Sequence, residues 1–134
     1  MTLTPLPPAT NLTDPAAILR QAAVYVRHGW VQGRFAVGRN GATVSHRSRN
    51  ACAVDAMGAI ARAAGHTWLE DADNHQQAYD TDYATMRRLA QAVCSNYPSG
   101  LSDWNDAPGR TQAEVVAALE AMALLYERER AEVT

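Results

Sequence analysis

A chain of 134 residues with 47% hydrophobic content is long enough to bury one core and too short for two, so a single helical domain over 14–134 is expected behind a loose tail, 1–13. No window approaches the roughly 18 apolar residues that a membrane span needs. The opening stretch, with Pro5, Pro7 and Pro8, lacks the basic start and apolar run of a secretion signal, which points to the cytoplasm and excludes a membrane role.

Two cysteines are too few for a disulfide scaffold, and all 12 basic residues are arginine, a bias that fits a GC-rich genome. Through residue 54 six arginines meet one acid, Asp14, whereas beyond it six arginines meet 13 acids, so the net charge of −2 conceals a basic half and an acidic half. The preferred reading is that the halves face each other across the fold. The other is that one face meets an acidic partner.

Asp14-Pro15 is a helix start, a carboxylate for the orphan amides followed by a ring preset for the first helical position. Helix one is expected to His28, with Gly29 as its stop and Ile18, Leu19, Ala22, Tyr25 and Val26 as its buried stripe. Asn40-Gly41 then places a turn between Phe35-Ala36-Val37 and Ala42-Thr43-Val44, a short β-hairpin or hairpin-like arm. Ser48 or Asn50 is expected to cap a second helix, Ala51 to Ala64, ended by Gly65. Seven alanines and Gly58 fill that helix; the interior glycine implies a backbone packed close against it.

Residues 70–82 are polar and acidic, and a third helix is expected over Thr81 to Asn96. After an ordered loop, Leu101 to Arg110, the run Thr111-Gln112-Ala113-Glu114 forms a capping box. It opens a fourth helix to about Arg130 that buries Val115, Leu119, Met122 and Tyr126. The fold class is therefore mainly α, a small bundle of about four helices with a hairpin arm between the first two.

Three blocks, Trp30-Val31-Gln32-Gly33, Asp55-Ala56-Met57-Gly58-Ala59-Ile60 and Trp104-Asn105-Asp106-Ala107-Pro108-Gly109-Arg110-Thr111 with Glu114-Val115, resemble domain-of-unknown-function family 6197. That is an uncharacterised family of actinobacteria and their phages. The resemblance covers roughly residues 15 to 125, and the last block is the specific one. It implies the fold and a bacterial or phage source, and it carries over no function. Members usually carry Cys three residues before the glycine of the Gly-Ala pair; here that position is Asp55, with Cys52 one turn earlier.

Four constellations bear chemistry. Cys52, at the start of helix two, would feel the helix dipole, and with His46 or His66 as base and Asp55 or Asp106 as orienter it sketches a hydrolase or transferase; a small buried packing residue is the preferred reading. The loop Trp104, Asn105, Asp106 and Arg110 is either a structural tie anchored by Trp104, the preferred reading, or an anion site ahead of a helix N-terminus. His66, Asp71, Asp73, His75, Asp80 and Asp82 are dense in metal ligands. They lack the glycine and glutamate of a calcium loop and any zinc pair, so no metal and no cofactor are expected.

The arm, with Arg34, Arg39, Arg47, Arg49 and Trp30, fits an acidic protein partner or a second copy better than nucleic acid, because no nucleic-acid module accompanies it. The leading expectation is a non-enzymatic interaction module, and the rival is a cysteine- or carboxylate-dependent enzyme.

Overall fold

The computed structural model describes residues 3–65, 88, 91–93 and 100–133. Among them stand α1 (Pro15–His28), β1 (Ala36–Val37), β2 (Ala53–Val54), α2 (Ala56–Ala64), α3 (Leu101–Asn105) and α4 (Gln112–Val133). The fold is mainly helical with one short antiparallel strand pair between the first two helices, as the periodicities imply. Residues 88 and 91–93 are helical; the remainder of the expected third helix and the acidic stretch 70–82 lie outside the described residues.

Helix α1 starts where its sequence says, with the Asp14 carboxylate accepting from the Ala17 amide at 2.9 Å and Pro15 in the first turn. It packs on α2 and, over its length, on α4. Leu19, Ala22 and Val26 meet Ala59, Ile60, Val115 and Leu119 in one buried cluster. Each of the large aliphatic side chains there stabilises the fold by on the order of 2 kcal/mol. Arg20–Glu127, Arg27–Glu120 and Arg130–Asp14 bridge the exposed seam between α1 and α4, so part of the basic half does face the acidic half. Being solvent-exposed, these pairs align the helices more than they stabilise them.

The arm turns at Gly38–Gly41. The Gly38 amide donates to Ala42 O at 2.9 Å and the Gly41 amide to Gly38 O at 3.1 Å, with Gly41 at φ 83°. Its two sides meet in a single bridge, Val37 with Thr43, and the stronger pairing of β1 is with β2: Ala36 opposite Val54, Val37 opposite Ala53. On its other flank β2 is joined by Gly29–Val31 through Val54 N–H to Gly29 O at 3.0 Å and Val31 N–H to Val54 O at 3.2 Å.

This pairing corrects the start of the second helix. Residues 52–54 are drawn into the sheet because the Cys52 and Val54 amides donate to Val37 O and Gly29 O and the Val54 carbonyl accepts from the Val31 amide, and α2 begins only at Ala56. Its cap is Asp55, not Ser48 or Asn50: the Asp55 carboxylate accepts from the Gly58 amide at 2.6 Å. The close backbone implied by Gly58 is the Phe35 carbonyl, which a Cβ at 58 would meet at 2.2 Å. Gly29 is similarly confined by the Cys52 carbonyl.

The N-terminal segment is also corrected. Residues 4–12, expected as a loose tail, form a strap across the arm and α2. Leu6 is buried, its amide donates to Ala51 O at 2.8 Å, and the Thr10 and Leu12 amides donate to Arg62 O and Ala63 O. Beneath it lies Arg62, wholly buried on the face of the Ala-rich helix. Its guanidinium donates to the carbonyls of Pro7 (2.8 Å), His46 (2.9 Å) and Ser48 (2.9 Å) and stacks over the Tyr25 ring at 5.1 Å. Tyr25 in turn donates its hydroxyl to Pro8 O at 2.6 Å. Carbonyl oxygens, which satisfy a guanidinium's donors without a countercharge, explain why a cation is tolerated there; burial still pulls its pKa down.

Candidate functional site

The strand pair, the N-terminus of α2 and the short helix α3 converge on Asn105. Gly100, at φ 96°, turns the chain into α3, which delivers Asn105 wholly buried against the start of α2. All four polar valences of its amide are used. Asn105 Oδ1 accepts from the Trp30 indole N–H at 2.8 Å and from the Ala56 amide at 3.0 Å. Asn105 Nδ2 donates to Val31 O at 3.2 Å and to Asp106 Oδ1 at 2.9 Å. The Ala56 amide is one of the four orphan donors of α2, so Asn105 supplements the cap that Asp55 provides.

Asp106 Oδ1 also accepts from the Gly33 amide at 2.8 Å, and Gln32 donates to the carbonyls of Asn105 and Ala107. Trp30 to Gly33 is thereby sewn to Asn105 to Ala107.

Beside this junction opens a cavity of about 390 Å³ lined by Gly33, Arg34, Phe35, Thr43, Asp55, Ser102 and Asp106. Asp55 is only 2% exposed yet forms part of that wall. Burial pushes its carboxyl up to about 7; the Gly58 amide pulls against the rise and the Asp106 charge adds to it. Among the described residues no cation pairs with either acid. Arg34, on the same wall, donates to the Gly41 carbonyl instead.

With this geometry in view, the match of a family model becomes informative: the family of unknown function DUF6197 fits residues 10–124. The chain belongs to this family. No curated protein and no solved structure matches it. In this DUF6197 member the matched span takes in both halves of the Asn105 junction and every residue of the cavity wall.

The other site residues expected from sequence scatter. Cys52 is not on helix α2. It precedes the Asp55 cap in the extended segment, where its amide donates to Val37 O at 2.8 Å and its thiol to Asn50 O at 3.5 Å, away from the helix terminus that would have activated it. It is buried, and it does not line the cavity. His46 is buried under the strap with its carbonyl on Arg62, on a different part of the fold from Asp106. His66, Asp71, Asp73 and His75 lie outside the described residues. Among the described residues no three His, Cys, Asp or Glu side chains are grouped to hold a metal ion, and no helix is long and apolar enough to cross a membrane.

Arg110 stacks on Trp104 at 4.2 Å, donates to the Trp104 carbonyl at 2.9 Å and reaches Glu114 at 3.4 Å. The capping box forms as its spacing implies, the Thr111 amide donating to Glu114 Oε1 at 2.9 Å and the Glu114 amide to Thr111 Oγ1 at 3.2 Å. The N-terminus of α4 is thus taken up by the chain's own carboxylate. Trp104 and Arg110 close the loop on itself, and neither Trp30 nor Trp104 lines the cavity beside Asp55.

On the arm, Arg47 is spent on structure, donating to the carbonyls of Thr10 and Arg62 and to Asn11. Arg39 and Arg49 are exposed. Sequence reasoning passed over Ser102, Thr43 and Arg62; only an arginine inside an alanine-rich apolar helix signalled the last of these.

Proposed function

We propose that this DUF6197 member is a non-enzymatic protein-interaction module that offers Arg39 and Arg49 to an acidic surface of a partner protein, in the cytoplasm of an actinobacterium or of a phage-infected cell. One observation carries the reading. Arg20, Arg27, Arg110 and Arg130 pair with acids of their own chain, and Arg47 and Arg62 are held by carbonyls. Arg39 and Arg49 are exposed and, among the described residues, make no hydrogen bond or ion pair; Arg88 and Arg128 share that state, but only Arg39 and Arg49 stand together on the arm. Arginines left out of a chain's internal pairing, on a loop held by backbone bonds, suit electrostatic docking.

The test is affinity capture from a lysate of the source organism by the wild type beside Arg39→Ala/Arg49→Ala, with Arg47 kept because it ties down the strap. A defined protein lost from the double variant, and weakened by salt, is the expected result. An unchanged set of captured proteins sinks the reading, as does loss of nucleic acid alone. Self-association is read from the mass in solution of the same two samples.

A carboxylate-dependent hydrolase or transferase is the second reading, favoured by the shared cavity of Asp55 and Asp106, since an acid that titrates near neutrality can both give and take a proton. Ester, amide and glycoside substrates screened against wild type and Asp55→Asn decide it; turnover in neither, or equally in both, removes it.

A further inference from the structure

We propose that the cavity between the 33–35 loop, Thr43 and α3 is a binding site for a small amine or guanidine cation, gripped between Asp55 and Asp106. Asp55 is 2% exposed and lines the cavity. The donors that reach it among the described residues are the amides of Gly58 and Met57, and no cation does. Asp106 spends Oδ1 on the Gly33 amide and on Asn105 Nδ2, which fixes its carboxylate at the rim; its Oδ2 accepts no hydrogen bond among the described residues. Two carboxyls thus share one cavity and, among the described residues, neither is ion-paired, an arrangement that costs free energy until a proton or a cation joins them.

The fold had a cation at hand and placed it elsewhere. Arg34 stands on the same wall, but its guanidinium goes to the Gly41 carbonyl and forms no ion pair with either acid. The partner that suits this pair of acceptors is therefore a hydrogen-bond-donating cation. A metal ion is the poorer fit, because no third His, Cys, Asp or Glu joins the pair among the described residues. An ammonium or guanidinium needs only acceptors, and Ser102 and Thr43 add hydroxyls to the two carboxyls. At about 390 Å³ the space is of the size that takes small organic ligands. The site is independent of Arg39 and Arg49, and under the second reading above its ligand would be the substrate.

The experiment is a titration of the ¹⁵N-labelled full chain with agmatine, N-butylurea and succinate at constant ionic strength, following the Gly33 and Gly58 amides. Agmatine is expected to give saturable shifts at both, the neutral and anionic probes none. Asp106→Asn and Asp55→Asn should each weaken agmatine by about tenfold or more, the loss of one charge-assisted contact. Ser102→Trp, which fills the cavity and leaves both acids in place, should abolish the shifts and serves if either Asn variant unfolds. No saturable shift, an equal response to N-butylurea, or agmatine binding undiminished by the variants that fold overturns the proposal.

Discussion

The Asp55 carboxyl caps α2 through the Gly58 amide while sitting 2% exposed beside Asp106. Capping favours the charged form, and burial disfavours it by more, which is why the balance lands at about 7 rather than at the ordinary 3.8. Because the folded-state value lies above the unfolded one, folding takes up a proton between them. Stability therefore declines as pH rises from about 4 to 7 and stays reduced above that, by at most about 4 kcal/mol. Asp55→Asn keeps a capping oxygen and removes the charge. Thermal unfolding should show it more stable than the wild type at pH 8, with the gap narrowing toward pH 4. A gap that is constant with pH would mean that Asp55 is not the titrating group.

At the scale of elements, the glycines in and before α2 set how closely the strand pair approaches it. Gly58→Ala gains about 1 kcal/mol in helix propensity, but its Cβ would stand 2.2 Å from the Phe35 carbonyl, a backbone atom with little freedom to retreat. The net should be a loss of about 1–2 kcal/mol in urea unfolding, with Phe35 displaced from the cavity wall; a stabilised variant would refute the close approach.

A close backbone at Gly58 was legible from a glycine inside a helix, though not that it belongs to Phe35; the Asp14 and Thr111 caps were legible because each depends on residues within one turn of each other. The start of α2 was not legible. Ala51 to Ala64 reads as one helix by composition, and only pairing with Ala36–Val37 and with Gly29–Val31, both distant along the chain, draws residues 52–54 into extended form. Asn105 was legible as a tie to another helix; its reach to Trp30, 75 residues away, was not. The cavity joins positions 33 to 106, and no local pattern encodes that assembly.

At the scale of the whole molecule, the strap, the arm and α2 are closed around Arg62. Deleting residues 3–13 would strip the Pro7 carbonyl from the guanidinium and uncover Leu6's share of the core. The expected loss is on the order of 4 kcal/mol, seen as a lower urea midpoint. An unchanged midpoint would show that the strap adds nothing to stability.

The strap is also made long before the side chain that receives it, since Pro7 and Arg62 are 55 residues apart. During synthesis the strap must wait on the ribosome until α2 emerges. The contacts around the buried guanidinium can therefore form only once α2 is made, closing an earlier segment over a later one.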